Sequence, residues 1–429
     1  MLRRIILGLG ANAVGQAVSI VLQLFSLTLY LLYWDLSTYG TWIMLSAVPA
    51  YLSMADFGMV YTAGNKMTMA IGRSDVAEAN RVFQSAQLFM MIVCGSLAVL
   101  LPPLVLFGPL PQFISFDQRV ALTALLCQVL LTLFSGLSEQ IFRATGRYAL
   151  GTMMGNLIRL GGWAGAIVGL LLFRNFPGVA ICGFLAHAVG ACASILLGQR
   201  GGHGIHWGTK RASKAEITAM IRPAISFMAF PLANALSFQG VTLLVGALTG
   251  TTAVALFNTY RTIARVAVQL TALFSHALWP EFARLFGHGG ARAVEALYRR
   301  SVMLGAAQSA GLSLLLYFVS PWLLQVWTHG RIAFVPSLMV WMLAYAAISG
   351  IWHVPRILLM ATNQHIGLAV WSLAAGGLSV TLAWVFGLLW GISGVGAAML
   401  VSEAYIASLC IYFANHSFFQ VKSKREYSL

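Results

Sequence analysis

Long apolar stretches recur along the whole chain, separated by short polar segments. A helix of about 20 apolar residues is long enough to cross the roughly 30 Å of hydrocarbon in a bilayer. Twelve stretches have this length, and the pattern therefore predicts twelve transmembrane helices. They cover residues 8–32, 40–63, 84–107, 119–141, 150–173, 176–198, 223–248, 252–280, 301–325, 336–359, 367–388 and 391–414.

Composition supports a membrane protein rather than a soluble one. Of the 429 residues, 59% are hydrophobic and only 9% are charged, and the mean hydropathy is +0.82. Soluble domains carry roughly 25% charged residues. The apolar stretches also leave no segment long enough for a separate soluble domain, so we expect an all-α, multi-pass membrane protein.

The net charge of +15 has two interpretations, a nucleic-acid-binding surface or a membrane topology signal. The basic residues lie in short loops instead of forming one basic region. With the amino terminus inside, 20 of the 26 lysines and arginines fall on the inner side and 3 on the outer side. Cytoplasmic loops retain such residues, so the distribution predicts that both termini are cytoplasmic and that nucleic acid is not a partner.

Weak internal similarity divides the chain near its middle. Ala144-Thr145-Gly146 recurs as Ala361-Thr362-Asn363, and Gly178-Val179 recurs as Gly394-Val395, at offsets of 217 and 216 residues. Two tandem six-helix repeats would give this constant offset. We therefore predict an N-terminal lobe at 1–198, a cytoplasmic linker at 199–222, a C-terminal lobe at 223–414 and a basic tail at 415–429.

Three arginines lie deep inside predicted helices, each well over roughly 10 Å from a helix end at about 1.5 Å per residue. They are Arg159, Arg261 and Arg265. An ionisable group at such depth costs at least about 2.5–3.5 kcal/mol on insertion scales and is a functional candidate by default. Arg261 and Arg265 are four residues apart, and the repulsion between them makes a purely structural role unfavourable.

Two predicted helices carry a polar stripe on one face. In the eighth helix the stripe is Asn258, Arg261, Arg265, Gln269 and His276. In the first helix it is Asn12, Gln16, Ser19, Gln23, Ser26 and Tyr30. Spacings of three and four residues place each set on one side of its helix. Such a stripe lines a polar cavity or forms hydrogen bonds between helices, and the pattern leaves both possibilities open.

Few acidic residues occur inside the predicted helices. Glu139 is four residues before Arg143 near a helix end, which indicates an ion pair at the membrane interface. Asp56 is deeper and is either a partner for an arginine or a site for a coupling cation. The repeat places Glu403 at the same level as His187, and both could carry protons or simply form hydrogen bonds within the bundle. Asp56, His187 and Glu403 are therefore the candidate ion-coupling residues.

Motifs for nucleotide hydrolysis and metal binding are missing from the sequence. It contains no GxxxxGK[ST] phosphate loop, no HExxH and no CxxC pair. We expect no metal and no cofactor, with H⁺ or Na⁺ as the candidate coupling ion. The outer loops are also too short to form a catalytic domain, and we do not expect an enzyme.

The chain resembles a known family over its whole length. The resemblance is strongest at Asn12 and Gln16, Tyr39-Gly40-Thr41-Trp42, Ala55-Asp56-Phe57-Gly58, Phe257-Asn258-Thr259-Tyr260-Arg261 and Trp279-Pro280-Glu281-Phe282. These residues are similar to the polysaccharide transport branch of the multidrug/oligosaccharidyl-lipid/polysaccharide exporter superfamily. That branch includes the Wzx-type O-antigen flippases.

The resemblance implies two six-helix lobes around a central cavity, in a bacterial cytoplasmic membrane. It implies a flippase that translocates an undecaprenyl-diphosphate-linked oligosaccharide, an O-antigen or exopolysaccharide repeat unit, by alternating access. Asn12, Gln16, Arg159, Asn258, Arg261, Arg265 and Gln269 would contact this substrate. Membrane lipids, a polysaccharide polymerase and a chain-length regulator would be the partners. The alternatives are a cation-coupled multidrug antiporter of the same superfamily and, from another class, a membrane-embedded polysaccharide polymerase or ligase.

Overall fold

The computed structural model describes residues 2–109, 114–201, 204–279, 281–282, 285, 291–362 and 366–426. Over these residues the chain is almost entirely helical, which confirms the predicted all-α class. Its helices are α1 (Leu2–Tyr33), α2 (Leu36–Leu52), α3 (Met59–Gly72), α4 (Val76–Phe107), α5 (Phe116–Ala144), α6 (Tyr148–Phe173), α7 (Phe176–Gly201), α8 (Lys214–Ala235), α9 (Val241–Thr249), α10 (Thr251–Ala277), α11 (Ala291–Trp327), α12 (Pro336–Ala361) and α13 (Ile366–Glu426).

Nine helices in the described part of the chain are long and apolar enough to cross a membrane, judged by length and composition. The twelve crossings expected from the sequence remain a prediction. Helix α10 is not among the nine, because its polar stripe lowers its hydropathy. The nine include a single stretch, Gly367–His416, where the sequence pattern predicts two helices.

That stretch lies in α13, which consists of two helical parts joined at a kink. Trp390 has φ −131° and ψ 16°, and Gly391 has φ 57° and ψ −143°, so neither residue is in a helical conformation. The kink falls between the predicted helices 367–388 and 391–414. Glycine adopts a positive φ without a steric penalty, and it therefore permits the change of direction here.

The prediction of one continuous helix at 40–63 is wrong. Helix α2 ends at Leu52 and α3 begins at Met59. Between them Phe57 and Gly58 have φ values of 50° and 75°, in the left-handed region. The Asp56 carboxylate accepts a hydrogen bond of 3.0 Å from the Gly58 backbone N–H, which stabilises the turn. Hydropathy averaged over a helix length does not reveal this break, because Asp56 is the one charged residue in an otherwise largely apolar stretch.

The described chain forms two compact units. The N-terminal unit contains Met1–Asp35 and Leu45–Met228, and the C-terminal unit contains Leu36–Met44 and Ala229–Leu429. Helix α2 therefore contributes residues to both. In the N-terminal unit α7 packs against α5 and α6, α1 packs against α6, and α3 and α4 pack against α5.

Residues of the predicted linker lie against the N-terminal unit. Four polar side chains on α4 form hydrogen bonds with the backbone of the segment 204–213. The pairs are Asn80 with Gly204 and His206, Gln84 with His206 and Arg211, Ser85 with Ser213, and Gln87 with Gly208. Ile205 is fully buried, and the Trp207 ring lies 5.2 Å from Phe83 and 5.5 Å from Phe134. We name residues 204–213 the docked segment.

The C-terminal unit is built around α12, which packs against α10, α11 and α13. Its apolar core includes Phe282, Tyr298, Leu358 and Cys410, all buried. Between α8 and α9 the chain continues as a short π-helix, Leu236–Gly240, which packs against α13. This π-helix lies beside the polar face of α10, where the Phe238 carbonyl accepts a hydrogen bond from Arg261.

Candidate functional site

The polar stripe of α10 lies in the C-terminal unit, on a helix whose buried residues are mostly apolar. Val254, Phe257, Ile263, Ala264 and Ala267 are among its buried residues. Apolar residues at these positions fix the rotation of α10 against α9 and α12. Asn258, Arg261 and Arg265 consequently stand together on one side of the helix.

Arg261 is bound entirely by the protein. Its side chain is 4% exposed. Nη1 donates a hydrogen bond of 2.9 Å to the Phe238 carbonyl, and Nη2 donates to Thr242 Oγ1 at 2.7 Å and to Asn258 Oδ1 at 2.9 Å. Its Cζ also lies 5.4 Å from the ring centroids of Phe238 and Phe257. The guanidinium is thus desolvated, but it retains neutral acceptors and two aromatic faces.

Arg265 has a different environment. It is partly exposed, and its Cζ lies 5.3 Å from the centroid of the Phe238 ring, the same ring that Arg261 contacts. Over the described residues it forms no hydrogen bond or salt bridge with a protein acceptor, and its other interactions are electrostatic, with Arg261 and Tyr345. A guanidinium has five N–H donors, so Arg265 offers an anion a complete binding fork.

The π-helix explains how one phenylalanine serves both arginines. Phe238 is at the middle of Leu236–Gly240. Its carbonyl accepts hydrogen bonds from Arg261 and, at 2.7 Å, from the Thr242 hydroxyl. Short π-helical turns often occur at functional sites, because they shift side chains away from the regular helical positions. Sequence reasoning missed Phe238 and Thr242, since neither residue interrupts the apolar pattern.

A second polar group lies on α12 and α13 of the same unit. Glu403 is 7% exposed and accepts a hydrogen bond of 2.7 Å from Trp352 Nε1. Arg356 lies over the Trp352 ring, with 5.6 Å from Cζ to the centroid, and interacts electrostatically with Glu403. The buried side chain of Tyr345 lies near Glu403, Arg261 and Arg265 and is therefore close to both groups.

The α12 residues of this group were not identified from the sequence, although a signal was present. Tyr345, Ser349, Trp352 and Arg356 are spaced by four, three and four residues. This is the spacing of the stripe in α1, and it places all four on one face of α12. A search for polar side chains overlooks this stripe, because two of its four residues are aromatic. Gln269 and His276 follow one and three turns beyond Arg265 on α10, and the His276 ring lies 6.2 Å from Trp279.

In the N-terminal unit the polar stripe of α1 faces α6. Arg159 Nη1 donates to Ser19 Oγ at 2.6 Å, and Trp163 Nε1 donates to Ser26 Oγ at 2.8 Å. At one end of the stripe Asn12 accepts a bond of 3.3 Å from the Tyr148 hydroxyl. Part of the stripe therefore forms hydrogen bonds between helices, while Arg159 and Asn12 are exposed and Gln16 is half-exposed.

The remaining candidates in this unit have separate environments. His187 is 7% exposed, and its Nε2 lies 2.8 Å from the Thr132 hydroxyl on α5. Asp56 is in the turn before α3, where backbone N–H groups of Gly58 and Val60 bind its carboxylate. Glu139 lies within electrostatic range of Arg143 and Arg159, and its ion pair with Arg143 remains a prediction. The described residues contain no group of three or more histidine, cysteine, aspartate or glutamate side chains arranged to hold a metal.

No protein-family model matches the sequence. No curated protein matches it either.

Solved structures show the same fold. An inward-facing multidrug resistance MATE family transporter of the MOP superfamily has a TM-score of 0.77 at 13% identity, over 94% of this chain and 96% of that one. An outward-facing structure of such a transporter gives 0.67 at 12% identity, over 98% and 96%. A MOP superfamily transporter from Pyrococcus furiosus, described as having a binding pocket of reverse polarity, gives 0.65 at 11% identity, over 98% and 94%. At these identities the similarity shows that the chain shares the fold of these proteins.

Proposed function

We propose that this protein is a membrane transporter that works by alternating access and that its substrate is an anionic lipid-linked oligosaccharide. The fold supports the transport mechanism, because similar folds have been solved in inward-facing and outward-facing conformations. The same fold makes a membrane-embedded polymerase or ligase a weaker candidate. The proposed location is the cytoplasmic membrane of a bacterium.

The environment of Arg265 favours an anionic substrate. Its guanidinium is partly buried beside a second arginine, and it lacks a carboxylate partner over the described residues. Two cations in a medium of low dielectric constant repel each other and lose hydration, so an anion that binds there is strongly favoured. A diphosphate supplies several oxygens with the geometry that a guanidinium binds in pairs.

In this proposal the isoprenyl diphosphate, of which undecaprenyl diphosphate is the expected form, binds at Arg265 with Asn258 and Gln269 on the same face. Asn12, Gln16 and Arg159, polar residues of α1 and α6 in the N-terminal unit, remain candidate residues for contact with the substrate. Asp56, His187 and Glu403 remain the candidate residues for coupling to H⁺ or Na⁺. A polysaccharide polymerase and a chain-length regulator are the proposed downstream partners, with an O-antigen, lipopolysaccharide or exopolysaccharide as the final product.

A cation-coupled multidrug antiporter is the second candidate, because several proteins of similar fold are described as multidrug transporters. The arginines argue against it, since they would repel the cationic drugs expected of such exporters. The Pyrococcus furiosus transporter, with its pocket of reverse polarity, shows that this fold accommodates an altered pocket charge.

Transport in proteoliposomes distinguishes the two candidates. The full chain is reconstituted with a fluorescent undecaprenyl-diphosphate-linked disaccharide, and transfer between leaflets is measured by access of a membrane-impermeant quencher. We expect the protein to accelerate transfer above the rate of empty vesicles. Parallel vesicles receive ethidium, a cationic drug, under an imposed pH gradient. Ethidium transport without lipid transfer would support the antiporter and contradict our proposal.

A further inference from the structure

The two arginines of α10 have unequal surroundings, although their spacing in the sequence makes them look equivalent. The Arg261 guanidinium donates its hydrogen bonds to protein acceptors, which are Phe238, Thr242 and Asn258. Arg265 contacts an aromatic ring and has no such acceptor in the described chain. A ligand oxygen that bound Arg261 would have to displace one of three short hydrogen bonds inside a nearly closed environment.

Arg261, Thr242 and Phe238 form a closed set of contacts. The Thr242 hydroxyl donates to the Phe238 carbonyl at 2.7 Å and accepts from Arg261 Nη2 at the same distance. Arg261 Nη1 then donates to that carbonyl at 2.9 Å. Thr242 is fully buried. These three groups fix the π-helix at the residue whose ring lies beside Arg265.

We propose that Arg261 is a positioning residue, which holds the π-helical turn Leu236–Gly240 so that the Phe238 ring supports Arg265, and that of the two arginines only Arg265 contacts the diphosphate. The inference rests on the proposed function for the identity of the anion. The Phe238 ring restricts the Arg265 side chain by a cation–π contact and so reduces the entropy lost when a phosphate binds. The positive charge of Arg261 adds to the local potential without direct contact.

A substitution of Thr242 distinguishes this proposal from the simpler alternative, in which both arginines bind the anion. Valine at this position keeps the volume and both charges but removes the hydroxyl that connects Arg261 to Phe238. If Arg261 positions the π-helix, Thr242→Val weakens anion binding. If Arg261 is itself a ligand, the substitution frees one of its N–H groups, and binding is unchanged or stronger.

The chain provides a matched control. Thr271 on α10 is also fully buried and donates the same kind of bond to a carbonyl four residues earlier, Ala267, at 2.9 Å. Thr271→Val therefore removes an equivalent hydroxyl without touching either arginine. Thr242→Ser keeps the hydroxyl and should behave as the unmodified protein, which separates loss of the contact from general disturbance of α9.

The experiment measures binding of farnesyl diphosphate to the purified full chain in detergent, with farnesol as the uncharged comparison. We expect Arg265→Gln to weaken binding about 100-fold, because it removes the charged fork. Thr242→Val should weaken it about tenfold, the effect of one hydrogen bond to a charged group. Thr271→Val and Thr242→Ser should change it less than about twofold, within the usual spread for sites outside a network.

A double-substitution cycle completes the test. If Thr242 acts through Arg265, the effect of Thr242→Val disappears in the Arg265→Gln background. Unchanged binding in Thr242→Val, or additive losses in the double variant, would overturn the positioning role even if Arg265→Gln abolishes binding. Equal binding of farnesyl diphosphate and farnesol by the unmodified protein would instead contradict the proposed substrate class, so the two failures are distinguishable.

Discussion

Trp352 on α12 donates a hydrogen bond of 2.7 Å to the carboxylate of Glu403 on α13, and both side chains are buried. This bond orients the carboxylate within electrostatic range of Arg356 and Tyr345. His187, the residue that the predicted internal repeat places at the same level, has as its partner the Thr132 hydroxyl on α5, 2.8 Å from Nε2. The two residues thus share a position in the repeat but differ in their electrostatic surroundings.

We expect Glu403 to couple transport to protons and His187 not to do so. Glu403→Gln keeps an oxygen to accept the bond from Trp352 but cannot ionise. The variant should insert normally, and its transport rate should no longer change when a pH gradient is imposed on proteoliposomes. His187→Ala should retain the response. A Glu403→Gln protein that responds to the gradient like the unmodified protein would assign Glu403 a structural role.

Substitution of the α10 arginines should separate binding from folding. Arg265→Ala should abolish export at normal membrane abundance, and Arg265→Lys should restore it only in part, because lysine lacks the planar fork. Arg261→Ala should also abolish export, but it leaves buried acceptors unsatisfied and should lower stability by about 1–3 kcal/mol. Surface polysaccharide in a complemented deletion strain and blots of membrane abundance measure both effects. Full export by both alanine variants would contradict the cationic mechanism.

Gly40 should not tolerate a side chain. A Cβ at this position would lie 1.8 Å from the backbone carbonyl oxygen of Thr251, the residue at the start of α10. Backbone cannot yield as a flexible side chain does, so Gly40→Ala should destabilise the protein by about 1–3 kcal/mol or more. Gly95→Ala in α4 is the control, because its Cβ would meet nothing within 4 Å. Thermal unfolding in detergent measures both variants, and equal midpoints would refute the clash.

Removal of the Trp207 ring should destabilise the N-terminal unit. The partly buried ring contacts Phe83 and Phe134, and its truncation should cost no more than the about 3–5 kcal/mol expected for a fully buried aromatic side chain. Trp384 on α13 is 52% exposed and provides a tryptophan of little structural consequence. We expect a lower unfolding midpoint for Trp207→Ala than for Trp384→Ala. A similar midpoint for both would show that the docked segment adds no stability.

The membrane orientation is tested by reporters. The distribution of basic residues predicts that a reporter fused after Gly202 is cytoplasmic and that one inserted near Gln112 is outside. Both positions lie outside the described residues. If the two reporters fall on the same side, the predicted crossings between them are miscounted.

The sequence predicted α10 and its polar face because a helix that buries apolar residues at every third or fourth position must expose the others together. It did not predict the break at Asp56–Gly58, because one charged residue among apolar neighbours scarcely lowers the hydropathy averaged over a helix length. The unequal roles of Arg261 and Arg265 also required the structure. Their difference depends on Phe238 and Thr242, about 20 residues away in the chain, and a spacing rule cannot relate such positions.

The docked segment has a consequence for the order in which the protein is made. Asn80, Gln84, Ser85 and Gln87 form their hydrogen bonds with residues 121 to 128 positions later in the chain. At about 5–20 residues per second, a ribosome needs roughly 6–25 s to synthesise that interval. During this time the polar side chains of α4 lack their final partners. The N-terminal unit can therefore complete its fold only after Ser213 has been synthesised. A chain that stops after α7 would lack the docked segment, would not complete this fold and would be a target for quality control.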